Sequence, residues 1–84
     1  MAPKIDITLY TRAGCHLCDE AKAVLYNVGA TFQATFQEVD IDTDPALQAR
    51  FNEEVPVVFV NGRKAFKYHI DPPQLARLLK ALTY

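Results

Sequence analysis

The feature that most constrains this chain is its pair of cysteines, Cys15 and Cys18, which are the only two in the sequence and are separated by two residues. Before them, Ile5, Ile7 and Leu9 alternate with polar residues, which is the period-two pattern of a β-strand. After them, apolar residues recur at the three- and four-residue spacing of a helix, at Leu17, Ala21, Val24, Leu25 and Val28. Both sulfurs are therefore predicted to lie where a strand turns into a helix.

A cysteine at such a position has a physical reason to react as a thiolate. The N-terminus of a helix offers unpaired amide donors and the positive end of the helix dipole, and both favour an anion. The thiolate, not the thiol, attacks disulfides, and an ordinary cysteine with a pKa of about 8.5 is mostly protonated near neutrality. Cys15 lies nearest the turn, and its thiolate is predicted to be stabilised more than that of Cys18. Arg12 and His16 can add positive charge there. Asp19 and Glu20 oppose thiolate formation.

Three other uses of the cysteine pair stay open on the residues alone. A structural disulfide here would close a very short loop, for which the chain-entropy model gives about 2 kcal/mol, less than for longer loops. A structural zinc site normally needs four ligands from two clusters, and beyond the cysteines the chain offers only His16 and His69. The pair could also be two ordinary buried thiols. The strand–motif–helix context favours a redox-active pair.

Length and composition set the class of protein. A chain of 84 residues that is 50% hydrophobic is expected to form one small domain, spanning residues 1–84. A net charge of −1 gives no basic surface for nucleic acid or for an acidic membrane, so neither is expected as a partner. No signal-peptide core or bilayer-spanning run is present in the sequence, so we expect a cytoplasmic monomer. In that compartment a lone C-x-x-C is more often catalytic than structural.

The first half of the chain predicts two strands with a helix between them. The first strand covers about residues 4–10, and the helix covers about 16–28 and ends at Gly29, a common C-terminal stop. The alternation of apolar residues slips within 31–41. Either a bulge lies inside that strand or the strand is only about 34–40.

The second half predicts a short helix, a hairpin and a last helix. Asp44-Pro45 begins the short helix, which ends near Asn52. Val55–Val60 is an uninterrupted apolar run, which indicates a central strand, and Asn61-Gly62 predicts a hairpin to an edge strand at about 63–68. Asp71-Pro72-Pro73 begins the last helix, whose apolar stripe, interpreted as core, consists of Leu75, Leu78, Leu79 and Leu82. The order β-α-β-α-β-β-α predicts an α/β fold with a mixed sheet and helices on both faces.

These features resemble the glutaredoxins and, more broadly, the thioredoxin fold, over nearly the whole chain. The resemblance rests on the element order, on the C-x-x-C motif after the first strand with Ala21-Lys22 following it, on Val55-Pro56 before the third strand, and on Asn61-Gly62 in the hairpin. It is closest to glutaredoxin-like proteins of the small Cys-x-Leu-Cys-Asp type. The resemblance implies a thioredoxin-like (glutaredoxin-like) fold with a four-stranded mixed sheet.

The same resemblance implies an activity and a set of site residues. The protein would be a thiol–disulfide oxidoreductase that reduces a protein or small-molecule disulfide, with Cys15 as the nucleophile and Cys18 as the resolving thiol. Pro56 would follow a cis peptide bond, and the backbone of the residue before it would meet the bound disulfide partner. The expected substrate-binding residues are Arg12, His16, Leu17, Val55 and Pro56.

The sequence also departs from the glutaredoxin pattern at three places. His16-Leu17 stands where Pro-Tyr is usual, Glu54 stands where Thr precedes Val-Pro, and Phe66-Lys67 stands where a Gly-Gly pair lets the backbone approach glutathione. These departures predict weak use of glutathione as a reductant and better use of a thioredoxin-type reductase system. No metal or organic cofactor is expected to be required.

Two rival functions share the same fold. One is a non-catalytic interaction domain that binds a partner along the Val55-Pro56 edge, and retention of both cysteines in a chain with no others speaks against it. The other is iron–sulfur binding through one cysteine per subunit, which usually accompanies a glutathione site.

Overall fold

Four strands and three α-helices follow one another in the order that the sequence predicts. The computed structural model describes residues 5–52 and 54–83. Its elements are β1 (Asp6–Thr11), α1 (His16–Thr31), β2 (Thr35–Asp40), α2 (Pro45–Phe51), β3 (Val57–Val60), β4 (Arg63–Lys67) and α3 (Pro72–Thr83). A short 3-10 helix at Ile41–Thr43, which the sequence analysis did not foresee, joins β2 to α2.

The four strands form one mixed sheet in the order β2-β1-β3-β4. β1 pairs with β2 in parallel, without a break in register from Asp6 opposite Thr35 to Thr11 opposite Asp40. The shorter of the two predicted strands in this region is therefore confirmed, and the predicted bulge alternative is wrong. The irregularity in the sheet lies instead between β3 and β4, next to Val58. β3 is an inner strand and β4 an edge strand, as predicted.

Helices pack on both faces of the sheet, and each face has its own core. On one face α1 and α3 cover the main cluster, whose buried members are Ile5, Ile7, Leu9, Ala21, Leu25, Val58, Val60, Leu75 and Leu79. On the other face a smaller cluster consists of Ile41, Phe51 and Val57, with Tyr10, Leu47, Val55 and Phe59 packed against it. Because neighbouring residues of a strand point to opposite faces, β1 and β3 supply both cores.

The predicted end of α1 at Gly29 is wrong. The helix continues to Thr31, and Gly29 is a buried residue inside it. A Cβ atom at Gly29 would lie 3.5 Å from Cδ1 of Ile7 and 3.9 Å from Cβ of Ala34, so the glycine lies at the contact between α1 and the sheet. The carbonyl of Gly29 accepts hydrogen bonds from the amides of Phe32 (3.1 Å) and Ala34 (3.0 Å), and the chain reverses at Gln33, which has a φ of 54°.

The remaining boundaries follow the sequence closely. Asn61 and Gly62 have φ values of 51° and 82°, as a tight two-residue hairpin turn requires. β3 begins at Val57 rather than Val55 because Pro56 has no N–H to donate to a ladder. The Oδ2 atom of Asp71 accepts a hydrogen bond from the amide of Gln74 at 3.2 Å, which satisfies a free donor of the first turn of α3. The leucine stripe of α3 packs into the main core, as predicted.

Candidate active site

The two cysteines form a disulfide at the start of α1. Their Cα atoms are 5.2 Å apart. Cys15 has extended backbone geometry (φ −95°, ψ 110°) and is the N-cap of the helix, while Gly14 before it turns the chain with a φ of 78°. The backbone amide of Cys18 donates to the Sγ atom of Cys15 at 3.1 Å. A free donor at the helix N-terminus is thus directed at the sulfur that the sequence predicts to be the nucleophile.

The two sulfurs differ in accessibility. Cys15 is half-buried. Cys18 is only 3% exposed, because it lies three residues further along the chain, inside the helix, and faces the protein interior. His16, the first residue of α1, is exposed, and Leu17 is half-buried. A disulfide that approaches from solvent therefore meets Cys15 first.

The predicted site residues from the second half of the chain lie at the same end of the sheet. Tyr10 near the end of β1 is opposite Val57 at the start of β3, so the loop after β1 and the Val55-Pro56 segment leave the sheet side by side. The Val55–Pro56 peptide is cis, as predicted. Val55 is half-buried and Pro56 is buried, and the carbonyl of Pro56 accepts a hydrogen bond from the amide of Tyr68 at 2.8 Å.

A groove of about 120 Å³ separates the first turns of α1 from the loop that follows β4. Leu17, Glu20, Tyr68 and His69 are among its lining residues. Tyr68 therefore connects the groove to the Pro56 segment, because its amide is bonded to Pro56 and its side chain lines the groove beside Leu17. The sequence analysis did not single out Tyr68. It has a φ of 69° at the end of β4, and no pattern in the sequence signals that a residue other than glycine adopts this conformation.

Arg12 is held by residues that the sequence analysis did not associate with the site. Its Nε and Nη2 atoms donate to the carboxylate of Asp42, with the shortest distance 2.9 Å, and Nη1 donates to the carbonyl oxygen of Asn52 at 2.9 Å. Hydrogen bonding to Asp42 raises the pKa of Arg12, and hydrogen bonding to Arg12 lowers the pKa of Asp42. Arg12 thus joins the loop that leads to Cys15 to the chain that leads to Val55.

Glu54, directly before Val55, is paired with two lysines of β4. Its Oε1 atom lies 3.2 Å from Nζ of Lys67, and its Oε2 atom lies 4.0 Å from Nζ of Lys64. The hydrogen bond from Lys67 lowers the pKa of Glu54. The ammonium of Lys67 also lies 5.1 Å from the centre of the Tyr68 ring. Phe66, the neighbour of Lys67, packs against the main core instead of filling the site.

The described residues contain no group of three histidine, cysteine or acidic side chains placed to hold a metal ion. In the same part of the chain, no helix has the length and apolar character that crossing a bilayer requires.

Comparisons with known proteins agree with this architecture. The family model described as Glutaredoxin-like domain (DUF836) matches residues 6–80. A protein of Dictyostelium discoideum named "Glutaredoxin-like protein YDR286C homolog" is 35% identical over 77 residues, which cover 84% of this chain and 71% of that protein.

Solved structures give the same picture of the fold. The crystal structure of a structural-genomics target, protein XcR50 from X. campestris, superposes with a TM-score of 0.75 and 38% identity, and covers 89% of this chain and 96% of that chain. A mutant thioredoxin from Halobacterium salinarum superposes with a TM-score of 0.70 at 20% identity, and covers 98% of this chain and 77% of that chain. The second likeness shows that the fold is that of thioredoxin.

Proposed function

This chain belongs to the glutaredoxin-like (DUF836) family, and we propose that it is a thiol–disulfide oxidoreductase that uses Cys15 and Cys18 as its redox pair. The observation that carries the proposal is the amide of Cys18 directed at the Sγ atom of Cys15, at the N-terminus of α1. After reduction, the same donor and the helix dipole would stabilise a thiolate at Cys15. Because the two sulfurs are close together, Cys18 can attack a mixed disulfide that Cys15 has formed with a substrate.

The reaction proceeds by two thiol–disulfide exchanges. The Cys15 thiolate attacks one sulfur of the substrate disulfide, a bond forms between Cys15 and that sulfur, and the other substrate sulfur leaves as a thiolate that takes a proton from water. The Cys18 thiolate then attacks Sγ of Cys15 and releases the second substrate thiolate. The substrate disulfide gains two electrons, and the protein keeps the Cys15–Cys18 disulfide. A thiol or dithiol donor must reduce that disulfide before the next cycle.

The residues around Cys15 have roles in holding the substrate. His16 and Leu17 lie beside the attacking sulfur, and Val55 offers its backbone at the end of the sheet next to the same loop. Pro56 fixes that segment, and Tyr68 is bonded to its carbonyl. Arg12 adds positive charge that Asp42 largely offsets. The cytoplasm, with its reducing donors, is the compartment we propose for this activity, and a monomer suffices because both cysteines belong to one chain.

The proposal is tested by reducing bis(2-hydroxyethyl) disulfide and insulin with the protein, in the presence of dithiothreitol or a thioredoxin-reductase system. The parent should accelerate both reductions, and Cys15→Ser should abolish the acceleration. Reduced Cys18→Ser, freed of reductant and mixed with bis(2-hydroxyethyl) disulfide, should instead accumulate a mixed disulfide of one substrate half per protein, visible by mass spectrometry. Absence of acceleration by the correctly folded parent with either donor would contradict the proposal and favour the non-catalytic interaction domain.

A further inference from the structure

Two cations beside the candidate active site are each paired with a carboxylate of the same chain. Arg12 lies 2.9 Å from Asp42, and Lys67 lies 3.2 Å from Glu54. Glu54 also lies 4.0 Å from the ammonium of Lys64, so Lys67 and Lys64 share one carboxylate.

The Glu54–Lys67 pair lies next to the segment that is proposed to meet the substrate. Glu54 directly precedes Val55, whose backbone is proposed to meet the substrate, and Lys67 approaches the ring of Tyr68. Tyr68 lines the groove that begins at Leu17 of the C-x-x-C motif. On the opposite wall of that groove lies Glu20, a second carboxylate.

An anionic group that enters this region must compete with Glu54 for Lys67 and also faces the charge of Glu20. A cationic group is attracted by both carboxylates and repelled by the ammonium groups of Lys67 and Lys64, which lie 3.2 Å and 4.0 Å from Glu54. The side chains of Glu54 and Lys67 are 36% and 40% exposed, so water and salt screen their field. Because exposed ion pairs are weak, we expect an effect on the rate constant of only about two- to five-fold at low ionic strength.

We propose that Glu54 is a specificity-determining residue, which shifts the preference of the protein away from disulfides whose flanking groups are anionic and toward disulfides whose flanking groups are neutral or cationic. This inference rests on the proposed redox function of Cys15 and Cys18. It names the charge class of the substrate, and it assigns the discrimination to one side chain that pairs with Lys67 across the end of the sheet.

The test uses three small disulfides of similar size and different charge: cystamine, bis(2-hydroxyethyl) disulfide and 3,3′-dithiodipropionate. The reduced protein is mixed with each one, and the rate of oxidation of the Cys15–Cys18 pair is followed at low salt and at 1 M salt. Glu54→Gln should raise the ratio of the anionic to the cationic rate by about two- to five-fold at low salt. The difference between the two proteins should vanish at 1 M salt, where the screening length is about 3 Å.

Glu38→Gln is the matched control, because Glu38 forms a similar exposed ion pair with Lys22, at 3.0 Å, on the opposite edge of the sheet. It makes the same change in net charge and should leave the three rates as they are in the parent. Lys67→Gln should act in the opposite direction to Glu54→Gln and lower the relative rate with the anionic disulfide.

The outcomes separate this inference from the function on which it rests. Equal ratios in the parent and Glu54→Gln, or the same change in Glu38→Gln, would overturn the role of Glu54 while the redox function stands. A parent protein that reacts with none of the three disulfides would overturn both.

Discussion

The guanidinium of Arg12 is bound by the carboxylate of Asp42, with Nη2 and Oδ1 2.9 Å apart, although the two residues are 30 positions apart in the sequence. Arg12 lies three residues before Cys15, and the same guanidinium also donates to Asn52, three residues before Val55. The guanidinium of Arg12, oriented by Asp42, therefore connects the two segments from which the candidate active site is built. Such a bidentate arginine–carboxylate contact has a well-defined geometry, which a lysine at this position would not reproduce.

The first prediction concerns acid stability. Pairing with Arg12 lowers the pKa of Asp42, so its contribution to stability is present above the ordinary pKa of an aspartate, about 3.9, and is lost as the pH falls through the lower value of the folded state. Asp42→Asn should lower the thermal midpoint at neutral pH and flatten its decline below about pH 4. Thermal unfolding followed by circular dichroism between pH 7 and pH 2 measures both effects.

Glu38→Gln provides the comparison for that experiment, because it removes an exposed carboxylate that forms an ion pair with Lys22. Glu38→Gln should change the thermal midpoint below about pH 4 less than Asp42→Asn does. An Asp42→Asn variant with the same thermal midpoint and the same pH dependence as the parent would contradict a stabilising ion pair between Arg12 and Asp42.

A second prediction follows from the unequal burial of the two sulfurs. In the reduced protein at neutral pH, iodoacetamide should label Cys15 much faster than Cys18, because Cys15 is half-buried at the helix tip and Cys18 is 3% exposed. The rates are measured by mass spectrometry of peptides after timed alkylation, with the cysteine-to-serine variants as references. Equal rates, or faster labelling of Cys18, would reverse the assignment of nucleophile and resolving thiol.

The third prediction uses two glycines in different backbone conformations. Gly29 lies inside α1, and an added Cβ would make ordinary contacts of 3.5 Å or more, so Gly29→Ala should stabilise the protein by about 0.5–1 kcal/mol. Gly14 has a φ of 78° with open space around it, so Gly14→Ala should destabilise the protein by about 1 kcal/mol through its backbone conformation alone. Chemical unfolding of both variants beside the parent gives the two free energies of unfolding. Destabilisation by Gly29→Ala would show that this helix packs too closely on β1 to accept a methyl group.

These glycines also show how far the sequence predicts the fold. Strand alternation, the Asp44 and Asp71 caps and the Asn61-Gly62 turn are local patterns, and each predicts its element within a few residues. The end of α1 is not at Gly29, although glycine commonly ends a helix, because the left-handed residue that follows this helix is Gln33, with a φ of 54°.

The difference between local patterns and contacts formed only on folding explains why the sequence predicts only part of the candidate active site. Cys15 and Cys18 are neighbours in sequence, so their proximity follows from their spacing. The partners of Arg12 and Glu54 could not be identified in this way, because their ion pairs join positions 30 and 13 residues apart. Which acidic residue faces which basic residue depends on the register of the sheet, and that register is fixed by packing of the whole core.

The fourth prediction concerns the electron donor. Glutathione is net negative, and Glu54 and Glu20 place negative charge beside the route to Cys15, so glutathione should reduce the Cys15–Cys18 disulfide more slowly than a dithiol donor at matched thiol concentration. The rate with glutathione should rise with added salt because the repulsion is screened. A coupled assay that compares glutathione with dithiothreitol and with a thioredoxin-reductase system measures this. Turnover with glutathione as fast as with the dithiol would contradict the prediction.

The most direct test of the central claim is the reduction potential of the Cys15–Cys18 pair. The protein is equilibrated in a series of dithiothreitol or glutathione redox buffers. Thiol–disulfide exchange is stopped with acid, the free thiols are alkylated, and the mass of the protein is measured by mass spectrometry. A redox-active pair should show a single two-electron transition, in which the reduced protein carries two alkyl groups and the oxidised protein none, and a midpoint between about −120 and −270 mV, the range of thiol–disulfide oxidoreductases. A midpoint below about −300 mV, as is typical of structural disulfides, would contradict the account.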